Sequence, residues 1–334
     1  MFVKRKIKIL LLYLVTTFLF LTCFGVGSVF AAEKIRVGVF FPALRYEWFR
    51  FMEEALQKAA IKLDAEIRVY DGNEDASTQL QQVEDFISRG KATFVIYTPV
   101  TPAAGKSGMR LLNEADIPVV MFDRYTAFGD RITFVEYDAY NRGQIAANEI
   151  MKDAKKNGLR KANVCLITGK LSDKPAIDTK AGFYDVVNAS GGFLNVLSEL
   201  DGGWQQLKAT DITEDWLNKY KNIDYIFGSN PDMGLGASVA VKAARRKDIK
   251  VVAGGEAKGV YEAINNGDLW MTTGTNPKNI ILWCLDLGLI GTVKGYPFQY
   301  MDSLPSHILT PLSVITKENI QEEWNKLWPN ERLK

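Results

Sequence analysis

The sequence predicts an α/β protein built as two Rossmann-like lobes with parallel sheets, and three observations carry that prediction. Apolar runs of four to seven residues alternate with amphipathic stretches of ten to fifteen, which is the rhythm of βαβ units. The 334 residues are roughly twice the ~150 expected of one domain, and too many strands recur for a single sheet. No Gly/Ser-rich linker, fixed-period repeat or low-complexity tract divides the chain. Lobes without a flexible tether are joined by short hinge strands, which suits clamshell closure.

The elements follow in order. Residues 35–41 form a compact apolar run that stops at Pro42, a first buried strand. From Glu47 to Leu63, Phe51, Leu56, Ala59 and Ile61 recur at helical spacing. A strand over 66–70, a helix over 77–88, a strand over 93–97 and a helix over 103–115 come next. Strands at 119–122 and 132–136 precede a helix over 141–155. The rhythm resumes with strands near 164–168, 193–197, 225–228 and 251–253.

Composition narrows the chemistry. Lys and Arg number 41 against 39 Asp and Glu, so the footprint is not that of a nucleic-acid binder. With three cysteines and the single His307, neither a disulfide framework nor a multi-imidazole zinc site can be built. Nucleophilic catalysis would hang on that one histidine. Cys165 and Cys284 lie in apolar stretches and read as buried free thiols. Gly254-Gly255 lacks the spacing of a phosphate cradle.

The first 32 residues stand apart. Lys4, Arg5, Lys6 and Lys8 precede an apolar run over 9–31, with Val29-Phe30-Ala31 as a small-residue cleavage signal. A cleaved leader, a retained anchor and a lipoprotein at Cys23 are the alternatives, the last weakened by the poor lipobox Phe20-Leu21-Thr22. Each places the protein outside the cytoplasm, in the periplasm or on the outer face of the membrane. Without the leader's four cations, 37 Lys and Arg face 39 acidic residues.

Ligands of such sheets sit beyond the carboxyl ends of the strands. There the chain places Arg45, Trp48 and Phe49, then Asp123-Arg124, then Asn230 and Asp232, then Glu256. Arginines and carboxylates pair with neighbouring hydroxyls while aromatic faces cover C–H surfaces, the mixture a neutral sugar needs. Asp123-Arg124 also fits a helix cap or surface ion pair, Trp48 and Phe49 fit a core, and Glu256 fits a solvated loop.

From about residue 35 to 320 the chain resembles the type I periplasmic sugar-binding proteins of the ribose and xylose group. The likeness rests on 36–51, on 79–90 (Gln79-Leu80-Gln81-Gln82 through Arg89-Gly90), and on Ile117-Pro118-Val119-Val120 before Phe122-Asp123-Arg124. Ala181-Gly182-Phe183, Gly228-Ser229-Asn230 and Ala263-Ile264-Asn265-Asn266-Gly267 continue it. Leu304-Pro305-Ser306-His307-Ile308-Leu309-Thr310-Pro311, and Leu44-Arg45 with Glu47, look like the xylose-binding branch.

That resemblance implies two lobes joined by three hinge crossovers. One lobe would comprise residues 33–137 plus 277–308, the other 138–276 plus 309–334. It implies that Arg45 reaches the sugar, Trp48 or Phe49 covers it, and Asp123 and Arg124 clamp its hydroxyls. From the second lobe Trp204, Asn230 and Glu256 would face it. Departures fall mostly there: Asp173 and Lys174 stand where the family places Arg or Asn, and Asn276 where the xylose branch offers Lys. His307 replaces an Arg of the branch phrase and reads as structural.

The expectation is therefore a non-enzymatic, monomeric receptor without cofactor, metal or nucleic acid. It would close on a pentose-like sugar, xylose among the candidates, and deliver it to the permease of an ABC transporter. The alternative is a sensor presenting its closed state to a membrane histidine kinase or chemoreceptor.

Overall fold

The computed structural model describes residues 34–293 and 304–334. The leader, the 9–31 run and Cys23 lie outside the described residues, and no described helix is long and apolar enough to cross a membrane.

Two six-stranded sheets share one plan. In the first, β1 (Arg36–Phe41), β2 (Glu66–Asp71), β3 (Phe94–Tyr97), β4 (Val119–Phe122), β5 (Thr133–Tyr137) and β11 (His307–Thr310) lie in the order β2-β1-β3-β4-β5-β11, all parallel. In the second, β6 (Ala162–Thr168), β7 (Leu194–Asp201), β8 (Tyr225–Gly228), β9 (Lys250–Gly254), β10 (Met271–Gly274) and β12 (Ser313–Thr316) lie in the order β7-β6-β8-β9-β10-β12. Only the β10–β12 pair is antiparallel among the described strands. Each sheet reverses strand order beside its first strand, the place where open α/β sheets bind ligands.

The helices lie between strands, as the periodicity predicts: α1 (Glu47–Leu63), α2 (Ala76–Ser88), α3 (Pro102–Glu114), α4 (Ala139–Lys156), α5 (Lys174–Ala189), α6 (Gln206–Lys219) and α7 (Pro231–Ala243). α8 (Lys258–Asn266), α9 (Pro277–Thr292) and α10 (Ile320–Leu327) complete the described set. Side-chain caps fix several starts at the cleft side. Asp138 accepts from Asn141 N at 2.9 Å, Asn230 from Met233 N at 2.8 Å and Asn276 from Asn279 N at 3.2 Å. Proline follows the cap in α7 and α9, where its missing N–H costs nothing.

The chain passes between sheets three times: from β5 into α4, from β10 into α9, and from β11 into β12. α9 packs on α1, β3, β4 and β5, so it belongs to the first lobe although β10 belongs to the second sheet. β11 stays paired with β5 through Thr310, two residues beyond the expected switch. Separate cores support the lobes. Phe40, Phe86, Tyr97, Met109 and Phe134 pack in the first, and Phe183, Phe227, Ile150 and Leu166 in the second. Cys165 and Cys284 are buried and unbridged.

Candidate functional site

The carboxyl ends of the two sheets face each other across a cavity of about 80 Å3. At ~10–15 Å3 per water this holds some five to eight waters, the scale of one small ring. Of the sequence-predicted residues, Trp48, Phe49, Asp123 and Arg124 line it from the first lobe, and Asp173, Trp204 and Asn230 from the second.

The loop after β4 sets the first-lobe polar pair. Asp123 takes a left-handed conformation, φ 60°, held by its N–H to Val135 O at 2.9 Å. Asp is among the residue types that take this conformation readily, and here it aims the side chain away from the strand. Its carboxylate is 4.0 Å from Arg124 Nε, and Arg124 Nη2 reaches Asp173 Oδ2 at 3.5 Å across the cleft. Arg124 also donates to Val100 O. Burial pushes the Asp123 carboxyl up to about 6; Arg124 opposes this, while Glu136 and Asp173 add to it.

Asp173 in turn accepts from Trp204 Nε1 at 2.9 Å and from the Ser172 hydroxyl at 3.2 Å. Trp204, also left-handed at φ 64°, lies flat against Gly169, where a Cβ would come within 2.1 Å of its ring. Trp48 stacks on Phe122, centroids 5.6 Å apart, and donates from Nε1 to Thr275 Oγ1 at 3.1 Å. Phe49 packs against Phe41 at 4.9 Å and is nearly buried, so it serves core and cleft together. Asn230 spends its carbonyl capping α7 and offers the amide nitrogen to the cleft side, 3.5 Å from Trp204 O.

Four predicted residues do not line the cavity. Arg45 points along the rim, 46 % exposed, paired with Glu74 at 2.5 Å and stacked on Tyr46. Lys174 is drawn across to the first lobe by Glu136 at 2.9 Å and held by Asp178 on its own helix. Glu256, completely buried rather than solvated, turns to the hinge. It accepts from Thr275 N at 2.5 Å, Thr275 Oγ1 at 2.9 Å and Asn276 N at 2.6 Å. Asn276 caps α9 from a left-handed φ of 49°. The extra methylene of Glu over Asp lets this carboxylate reach the crossover. His307 pairs with Glu136 at 2.8 Å and stacks on Phe134.

The sequence reading missed Arg142. It lies in the first turn of α4, 3 % exposed, with its guanidinium 3.8 Å over the Tyr137 ring and its Nε without a partner. Gly254 makes room for it, since a Cβ there would meet Arg142 Cδ at 3.1 Å and Ser229 O at 2.5 Å. The signal available was position: one turn past the first crossover cap, Asp138. Asp232 also lines the cavity, its carboxyl pushed up to about 6 by burial and by Glu47. Among the described residues no group of three or more His, Cys, Asp and Glu is arranged to hold a metal ion.

Comparison with known proteins agrees with this fold. The family described as periplasmic binding protein domain matches residues 37–289. The chain belongs to the periplasmic binding protein family. Within it the chain groups with the type I sugar-binding proteins, as its residue phrases imply. The ribose import binding protein RbsB of Escherichia coli (strain K12) is 26% identical over 250 residues, which span 75% of this chain and 82% of that protein. RbsB of Haemophilus influenzae is 27% identical over 291 residues, 87% of this chain and 94% of that one. The solved Caulobacter myo-inositol binding protein superposes with a TM-score of 0.77 at 24% identity, covering 86% of this chain and 95% of its own. In this periplasmic binding protein the cleft is shut by contacts between lobes. Lys170 meets Glu74 at 3.1 Å, Lys174 meets Glu136, and Lys258 N donates to Glu47 at 3.3 Å.

Proposed function

We propose that this protein is an extracytoplasmic receptor that closes on one monosaccharide, pentose-like in size, and delivers it to the permease of an ABC transporter. The observation that carries the reading is the convergence of Asp123, Arg124 and Arg142 with the indole faces of Trp48 and Trp204 on one small cavity. Carboxylates accept from hydroxyls, guanidiniums donate to them, and the aromatic faces cover the C–H side of a ring. Arg142 adds a buried guanidinium to the same wall, a donor for ligand hydroxyls. The relatives point the same way, their names being those of ribose and D-apiose import binding proteins. Export through the 1–32 leader and division into lobes at the three crossovers belong to the same reading. A thermal-shift screen against pentoses, hexoses and cyclitols tests it. A cognate sugar at 100 times its Kd adds about 2.7 kcal/mol, seen as a rise of several degrees in Tm. Failure of every sugar and cyclitol to raise Tm overturns it.

A further inference from the structure

A chain of hydrogen bonds ties the aromatic wall of the cleft to the hinge. Trp48 lies in the first turn of α1, with one ring face stacked on Phe122 of β4. Tyr137 and Phe49 meet the same indole edge to face, at centroid distances of 5.9 and 5.1 Å. Ring packing tolerates a range of in-plane rotations, whereas a hydrogen bond has one direction. Trp48 Nε1 donates to Thr275 Oγ1 at 3.1 Å, and that hydroxyl donates to Glu256 Oε2 at 2.9 Å. An indole N–H only donates, so Thr275 is the acceptor in the first bond and turns its hydrogen to the second.

Glu256 stands in the second lobe, between β9 and α8, and is 2 % exposed. Its other oxygen, Oε1, takes both backbone N–H groups of the β10–α9 crossover, Thr275 N at 2.5 Å and Asn276 N at 2.6 Å. Burial raises this carboxyl, and those N–H groups, the Thr275 hydroxyl and Arg142 oppose the rise. Gly274 leaves room for it, since a Cβ there would come within 2.8 Å of Oε1. One carboxylate therefore sets both the path of a crossover and the direction in which a first-lobe indole must donate. Thr275 and Glu256 do not line the cavity, whereas Trp48 does. Their access to the cleft runs through the indole.

We propose that Glu256 and Thr275 are positioning residues for sugar binding, a relay that aims the Trp48 indole at the sugar ring from the hinge crossover. This rests on the sugar-receptor reading and deepens it. The stacking partner in the first lobe is held in register by a second-lobe carboxylate, so the grip on the ring and the geometry of the crossover are set together. The relay works through a hydroxyl with one hydrogen and a free lone pair, which valine lacks and serine keeps.

The test is a double-mutant cycle in calorimetry. D-ribose, D-xylose, L-arabinose, D-allose, D-galactose and myo-inositol are offered, and the tightest wild-type binder is carried forward. Thr275→Val keeps the shape and removes the hydroxyl. Glu256→Gln keeps Oε1 for the two backbone N–H groups and turns an amide hydrogen towards Thr275 Oγ1. Each is expected to weaken binding about tenfold, while Thr275→Ser restores the wild-type value. In a Trp48→Phe background, itself weaker than wild type, neither change costs further affinity. Equal losses in both backgrounds, or a Trp48→Phe chain that binds as tightly as wild type, overturn the relay and leave the sugar receptor standing. Silence of the wild-type chain towards all six compounds overturns both. Should the relay variants fail to fold, deuterium exchange by NMR on the sugar-loaded wild-type chain decides. The Trp48 indole N–H is expected to exchange about tenfold more slowly than that of exposed Trp283, and equal rates overturn the relay.

Discussion

The two lobes share a strand order, yet they supply the cleft in different ways. In the first lobe, Asp123 and Arg124 stand directly at the end of β4, Trp48 and Phe49 open α1 after the β1 loop, and all four face the cavity. In the second, Asp173 and Trp204 face it, whereas Lys174 and Glu256 are diverted to the other lobe and to the hinge. A residue at a strand end is a ligand candidate only if no unsatisfied group of the scaffold lies closer. Glu256 has the backbone N–H groups of Thr275 and Asn276 within reach, and Lys174 has Glu136, whereas among the described residues the Asp123 carboxylate accepts no hydrogen bond and has Arg124 Nε only at 4.0 Å.

The sharpest way to break this contrast is Asp123→Asn. Asparagine tolerates the left-handed backbone, so the change removes charge with little strain. Sugar affinity is expected to fall at least a hundredfold in calorimetry. Stability moves the opposite way. The folded state holds this proton to about pH 6 against an ordinary 3.8, so the group's contribution falls as pH rises from about 4 to 6. The variant lacks that fall and gains on the order of 2–3 kcal/mol at pH 7 by urea titration. An unchanged affinity would remove Asp123 from the site.

Glu256→Ala addresses the second lobe. It strips acceptors from Thr275 and Asn276, with an expected stability loss of ~1–3 kcal/mol and a smaller loss of affinity than Asp123→Asn. A stable variant with affinity lost a hundredfold would return Glu256 to the ligand. The smallest effect on affinity is expected from Lys174→Ala. Its partner Glu136 is buried and keeps only His307, so stability falls by ~1–3 kcal/mol, while affinity changes less than about fivefold, with the difference shrinking as salt is added. A larger, salt-independent loss would mean that Lys174 meets the sugar.

Much of this was legible in the sequence for a physical reason. Buried parallel strands such as 119–122 are written as continuous apolar runs, and helices such as α1 as 3.6-residue periods. β10, β11 and β12 escaped because their apolar runs are broken, not because they are short: Met271–Gly274 carries two buried threonines, and His307–Thr310 is half exposed. The strand-end rule singled out Asp123 and Arg124, and the family resemblance Trp204; all three line the cavity. Neither had a means of finding Arg142, which enters from a helix beyond a crossover, or of foreseeing that Glu256 would be claimed by the hinge.

The indole of Trp48 has one further consequence. Its ring rests on first-lobe Phe122 while its N–H is tied to Thr275, in the crossover that follows the second sheet. Across the cleft, Trp204 is tied to the same carboxylate that meets Arg124. Both chromophores are therefore wired to groups that separate when the lobes part, so the molecule carries its own optical gauge of closure, readable in ultraviolet emission without any attached dye.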